Sequence, residues 1–225
     1  MSARRVLRAG GLWFDGATAR VVVPHSDVLN IAPGNRITIT MWAYLTGWQR
    51  GFTVGVVIDK RTEAQANYNW EFTATAMLMR VHAGGRAFTV AVPHSLNQWN
   101  FYAMVLDGTR LSGYLNAELK AERSDVAPSA TNTVDLHIGQ YLTGTYRTLG
   151  IIDDVRIYNR ALSADEIRAI YERGALIRDG LVLHLDFSEY EGDVAYDKSG
   201  CGNHARIYGA RWVVKKPLRV LPKAR

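Results

Sequence analysis

Apolar residues recur at alternate positions through most of this chain. In residues 37–43, ITITMWA, Ile37, Ile39, Met41 and Ala43 face one way. A period of two is the mark of a strand with a buried face. Leu12 and Phe14 begin a strand that turns at Asp15-Gly16 and returns through residues 21–23. Residues 99–106, WNFYAMVL, run to a turn at Asp107-Gly108, residues 111–115 return towards Asn116-Ala117, and residues 136–139, LHIG, form a further short strand. Turn residues at this spacing predict an antiparallel sandwich.

One stretch breaks the pattern. In residues 151–173, IIDDVRIYNRALSADEIRAIYER, a strand carrying Ile151, Ile152, Val155 and Ile157 stops at Asn159-Arg160. Ser163 then precedes Glu166 by three residues, the spacing of a capping box, in which each side chain satisfies an orphan backbone N–H at a helix start. Ile167, Ile170 and Tyr171 recur at i, i+3 and i+4, so the helix has one apolar face, and Gly174 ends it.

This block resembles the closing strand and helix of laminin-G-like and pentraxin-like jelly rolls in the concanavalin A-like lectin and glucanase superfamily. FDG with its VVVP strand, ITITMWAY, WNFYAMVLDG with YLNA, and LHIG extend the resemblance over nearly the whole chain. It implies an all-β, two-sheet antiparallel jelly-roll sandwich with one short helix near residues 163–173. A single domain over residues 1–225 is expected, with its main body at 9–174. Residues 180–213, GLVLHLDFSEYEGDVAYDKSGCGNHARIYGARWV, look like the opening of such a domain, placed after its closing helix. The chain therefore reads as circularly permuted. The relocated strands either close their own sandwich, which the short linker at 174–179 favours, or enter a neighbour's by strand exchange; a truncated repeat is the third reading.

Composition adds boundaries. No apolar run is long enough for a membrane helix, and the basic N-terminal residues reach Gly10-Gly11 before a signal-peptide core forms, so classical secretion is not expected. The single Cys201 excludes an intrachain disulfide framework. The net charge of +6 belongs to two arms, residues 1–8 and 215–225, whose eight basic residues leave −2 for the body once subtracted. The arms are either solubilising or dock on an acidic partner, such as a neighbouring subunit or nucleic acid.

Candidate chemistry is of three kinds. In the loop Asp197-Lys198-Ser199-Gly200-Cys201-Gly202-Asn203, the oxygen donors suit a hard cation. The resemblance implies a structural calcium held by Asp197, Asn203 and Asp153 or Asp154; an Asx-turn at Asp197 is the alternative. Trp48, Tyr68 and Trp70 with Asn67 and Asn69, and separately Tyr141 and Tyr146, form aromatic and polar sets suited to a glycan or a protein partner, the alternative being packing. No catalytic constellation is legible: Asp186 and Glu189 are the nearest carboxylate pair, and the histidines are scattered. The expectation is a non-enzymatic, lectin-like structural protein that assembles as a homo-oligomer or with other subunits into a larger particle, such as a virion coat, decoration or fibre. Its place would be the particle surface, reached after cytoplasmic synthesis. A free carbohydrate-binding lectin is the alternative, and a glycan-cleaving enzyme the least favoured reading.

Overall fold

The computed structural model describes residues 10–31, 33–62 and 66–213. The strands are β1 Leu12–Asp15, β2 Arg20–Val23, β3 Arg36–Trp48, β4 Gly55–Arg61, β5 Ala66–Phe72, β6 Ala76–Ala83, β7 Arg86–Pro93, β8 Trp99–Asp107, β9 Arg110–Leu115, β10 Glu118–Arg123, β11 Leu136–Ile138 and β12 Thr148–Tyr158. Helix α1, Ala164–Arg173, follows, and then β13 Leu181–Leu185, β14 Val194–Ala195, β15 Ala205–Tyr208 and β16 Arg211–Trp212. Sheet A runs β10-β9-β8-β3-β12-β1-β16, with β13 also paired to β12. Sheet B runs β14-β15-β2-β11-β4-β5-β6-β7. The two form the expected antiparallel jelly-roll sandwich.

The main core lies between the sheets, and the period-two residues line it. Ile37, Ile39, Met41 and Ala43 of β3 meet Tyr68, Trp70 and Phe72 of β5 and Leu136 and Ile138 of β11 in one buried cluster. Sheet A has a second buried face. Trp42 and Phe101, opposite one another on β3 and β8, pack with Tyr158, Ile167 and Ile170 beneath α1. Tyr171 stacks on Trp42 with ring centroids 5.5 Å apart. The apolar face of α1 is thus the cover of sheet A.

Local chemistry fixes where α1 begins and ends. The Glu166 N–H donates to Ser163 Oγ at 3.2 Å, and the Ser163 N–H donates to Glu166 Oε2 at 2.9 Å, completing the capping box. Arg160 grips Glu166 with two nitrogens, at 3.1 and 2.6 Å. That pairing holds the Glu166 carboxyl down at about 2. Gly174 closes the helix in the left-handed conformation, φ 63°.

Residues 180–213 complete the chain's own sandwich. β13 lies on β12, β16 on β1 and β15 on β2, and Leu183, Leu185 and Phe187 enter the main core. The Val213 N–H donates to Gly11 O at 2.9 Å, so the two edges of the described chain lie side by side. Of the two sandwich arrangements open in the sequence, this is self-closure. The basic arms lie outside the described residues.

Ser163→Ala removes the cap and is expected to lower unfolding stability by about 1 kcal/mol. Urea unfolding measures it, and an unchanged midpoint would show that the box does not hold α1.

Candidate functional site

α1 covers part of the outer face of sheet A, and no α-helix among the described residues packs on the outer face of sheet B. A register row of outward residues crosses it: Arg206, Val22, His137, Asp59, Asn69, Arg80 and Thr89 stand opposite one another on successive strands from β15 to β7. Their chain neighbours, such as Val21, Ile58, Trp70 and Met79, fill the core. Alternation alone therefore delivers these polar side chains to one surface.

The centre of that surface is a charge network. Arg61 donates from Nε to Asp59 Oδ2 at 3.2 Å and from an Nη to Glu71 Oε1 at 2.7 Å. Arg80 pairs with Glu71 Oε2, and Asn69 Nδ2 donates to Glu71 Oε1 at 3.1 Å. The Asn69 oxygen is left to accept from His82 Nε2, 2.6 Å away, so His82 carries its proton on that nitrogen. Burial, with the nearby charges of Arg61 and Arg80, lowers the His82 pKa to about 4, so the ring is neutral at pH 7. Asp59 is 1% exposed, and burial outweighs Arg61 in pushing its pKa up to about 7. Its Oδ1 has no partner.

Residues 139–147 connect β11 to β12 beside this network. The turn starts at Gly139, φ 88°, where a Cβ would sit 2.2 Å from the Phe14 ring, so only glycine fits. Hydrogen bonds from Tyr141 N–H to Thr145 O, 3.0 Å, and from Val56 N–H to Tyr146 O, 2.6 Å, tie the loop to itself and to β4. The Arg61 guanidinium lies over the Tyr141 ring at 5.0 Å. Tyr146, 37% exposed and at φ 54°, meets Phe52 at 4.7 Å and Tyr141 at 6.3 Å between ring centroids. Phe52, Tyr141 and Tyr146 form an aromatic rim.

The predicted aromatic sets divide. Tyr141 and Tyr146 come together as expected. Trp48 is half-buried and supports the rim from behind, its Nε1 donating to Phe52 O at 2.6 Å. Tyr68 and Trp70 are a correction: both are fully buried, bonded to Leu29 O and Met104 Sδ, and neither can offer a face to a ligand. NYNW is strand, not loop. Asn67 braces neighbouring loops through Ile31 N–H and Ala130 O, and Asn69 joins the network.

The calcium ligand set does not fit either. Both Asp197 oxygens are occupied, Oδ1 by the His184 and Ser199 N–H groups at 2.9 Å, Oδ2 by Ser199 Oγ at 2.7 Å and the Asn203 N–H at 3.0 Å. Asn203 Nδ2 is turned to Val182 O at 2.8 Å. Asp154 is gripped by Arg156 at 2.7 and 3.1 Å and by His184 Nε2 at 3.0 Å. Asp153 is buried on β12 opposite Trp42. Asp154 thus has a guanidinium for its cation, and no cluster of three metal-ligating side chains occurs among the described residues.

A groove of about 460 Å³ lies elsewhere, on sheet A beside the start of α1, lined by Val105, Arg110, Tyr114, Leu119, Glu122 and Leu162. None of its lining residues carries a buried polar atom without a partner, whereas Asp59, His137, Gln140 and Arg147 around sheet B all do. Unpartnered buried polar atoms thus occur around sheet B and not in the lining of this groove.

Residues 15–168 match the sequence profile of the laminin-G-like group of concanavalin A-like lectins and glucanases. The chain belongs to that superfamily. No curated protein matches it in sequence. Solved structures show the shared fold. A Bacteroides ovatus protein proposed to bind carbohydrate is similar over 93% of this chain and 60% of its own, with TM-score 0.72 and 15% identity. A heptameric SAP-like pentraxin from Limulus polyphemus is similar over 89% of this chain and 94% of its own, with TM-score 0.60 and 14% identity. Botulinum neurotoxin type C, whose cell entry depends on two ganglioside molecules, is similar over 75% of this chain and 46% of its own, with TM-score 0.57 and 10% identity. This chain thus spans 60% of the Bacteroides protein's length. Its fold is that of lectin-like carbohydrate-binding proteins.

Two predictions follow from the placement of carboxylates. Asp197→Ala is expected to cost about 3 kcal/mol, because it strands several buried donors. The loss should be equal with and without chelator, and a chelator-sensitive melting temperature in the parent protein would restore the calcium reading. Asp59 has a folded-state pKa above its ordinary value of 3.8, so its contribution to stability is complete below about pH 4 and lost as pH rises through 7. Melting temperatures from pH 4 to 8 should show this decline in the parent and a flatter profile in Asp59→Asn; parallel profiles would contradict the buried carboxyl.

Proposed function

We propose that this protein is a non-enzymatic carbohydrate-binding module whose glycan lies on the outer face of sheet B, against the Asp59–Arg61–Glu71 network and the Phe52, Tyr141 and Tyr146 rim. The observation that carries the proposal is the meeting of an aromatic rim and a fixed set of polar groups on the sheet face that α1 leaves exposed. Sugars need both, because their faces pack on aromatic rings and their hydroxyls need oriented partners. The carbohydrate-binding role proposed for one structural relative and the ganglioside interaction of another accord with it.

A cutting role is less well supported. Glycan hydrolysis uses two carboxylates free to act at the scissile bond. Asp59 has the raised pKa of a general acid, but Glu71 is held at both oxygens by Arg61, Asn69 and Arg80. We assign the pair to holding.

The particle-subunit reading loses one structural argument, since residues 180–213 complete their own sheets; its other argument, the arms, lies outside the described residues. Self-association remains compatible with the fold, as the heptameric pentraxin illustrates. The permuted strand order belongs to the same proposal, supported by the contact of Val213 with Gly11, where a rotated jelly roll would have been joined.

The test is a glycan panel read by isothermal titration. Binding is expected, with Tyr146→Ala weakening it about tenfold, or ~1.4 kcal/mol. Binding by Tyr146→Ala and Tyr141→Ala at parental affinity would move the site elsewhere, and no binding to any glycan would overturn the function.

A further inference from the structure

The outer face of sheet B also holds a cluster of basic side chains, separate from the self-compensated network at its centre. β2 presents Arg20 two residues before Val22, and Val22 stands opposite His137 of β11, so both basic groups share the face. The chain leaves β11 through Gly139 and Gln140 and returns at Arg147, because the Thr148 N–H donates to Gly139 O at 2.8 Å. Arg20, His137, Gln140 and Arg147 are thereby gathered at one end of the 139–147 loop. Arg20 lies over the ring of Tyr208, its register partner on β15, at 4.2 Å.

These groups lack the partners that burial demands. His137 is 7% exposed, and neither ring nitrogen has a hydrogen-bond partner. Gln140 is 3% exposed with its Oε1 unpartnered, and a buried Nη1 of Arg147 is unpartnered although its Nε donates to Gly144 O at 2.9 Å. Burial and the Arg20 charge push the Arg147 pKa down against the pull of Asp15; burial lowers that of His137 against the pull of Asp135, with Arg20 adding to the lowering. The nearest carboxylates are turned to other work. Asp15 accepts the N–H groups of Ala17, Thr18 and Ala19, and Asp135 accepts the His25 N–H. Unpaired buried donors and adjacent like charges are costly unless an anion completes the set.

We propose that Arg20, His137, Gln140 and Arg147 form a subsite for an acidic sugar. The guanidiniums hold its carboxylate or sulfate, a ring hydroxyl donates to Gln140 Oε1, and His137 supplies a further polar contact. The inference rests on the carbohydrate-binding reading and specifies its ligand class. An anion alone would satisfy the arginines; the unpartnered amide oxygen calls for a hydroxyl donor beside it.

The experiment titrates the protein with a sulfated heparin hexasaccharide, a hexamer of galacturonate, neutral maltohexaose and inorganic sulfate, at 50 and 300 mM salt. At least one acidic oligosaccharide is expected to bind ten or more times tighter than maltohexaose, with affinity falling at higher salt. Arg20→Gln and, separately, Gln140→Ala should each reduce the acidic-to-neutral affinity ratio several-fold. Equal binding of acidic and neutral sugars would overturn the subsite while leaving carbohydrate binding intact. Inorganic sulfate bound as tightly as the oligosaccharides would overturn it as a sugar site, and no glycan binding at all would remove both readings.

Discussion

The burial of both faces of sheet A is the constraint on which the rest of this structure depends. β3 and β8 are apolar on both sides: one set of residues enters the core between the sheets, and Trp42 and Phe101 enter the second layer beneath α1. Without the helix that second face would be an exposed aromatic patch, so the capping box and the Arg160 grip on Glu166 have consequences beyond the helix itself. No α-helix among the described residues packs on the outer face of sheet B, and its outward side chains meet one another there.

A polar row across a sheet must compensate its own charges or receive help. At the centre of sheet B compensation is internal. Asp59, Arg61, Glu71 and Arg80 alternate in sign and are bonded in sequence. Towards β2 and β11 compensation is weaker: the Arg20 charge acts on Arg147, and Asp15, whose carboxylate accepts backbone N–H groups, offsets it only in part. The contrast divides one surface into a rigid, neutral floor under the aromatic rim and a basic flank that attracts negative charge. The same physics accounts for the former calcium candidates, where the Arg156 guanidinium supplies Asp154 with its cationic partner and His184 adds a hydrogen bond.

The sequence was most legible where local and global signals agreed. The strand, Asn159-Arg160 corner, Ser163–Glu166 box and i, i+3, i+4 stripe of α1 all appear as read, and so does the alternation of β3. Tyr68 and Trp70 were grouped with the polar Asn67 and Asn69 as a binding set, although Tyr68, Trp70 and Phe72 alternate with Asn69 and Glu71 in strand period. A run of oxygen donors does not reveal what already meets it: Asp197 accepts from N–H and hydroxyl groups, and Arg156, two residues beyond Asp154, pairs with that carboxylate. The basic flank was not visible at all. Arg20 is far in the chain from His137 and Arg147, and only the register of β2 with β11 and the return of the 139–147 loop bring the three to one end of the sheet.

The central claim is that ligands meet this protein on the outer face of sheet B. A crystal structure of the protein with an acidic oligosaccharide tests it most directly. The account predicts density for the sugar across β2, β11 and β4, with an anionic group within hydrogen-bond distance of Arg20 and Arg147. A sugar seated instead in the groove between α1 and β8–β10, with the face of sheet B bare, would contradict it.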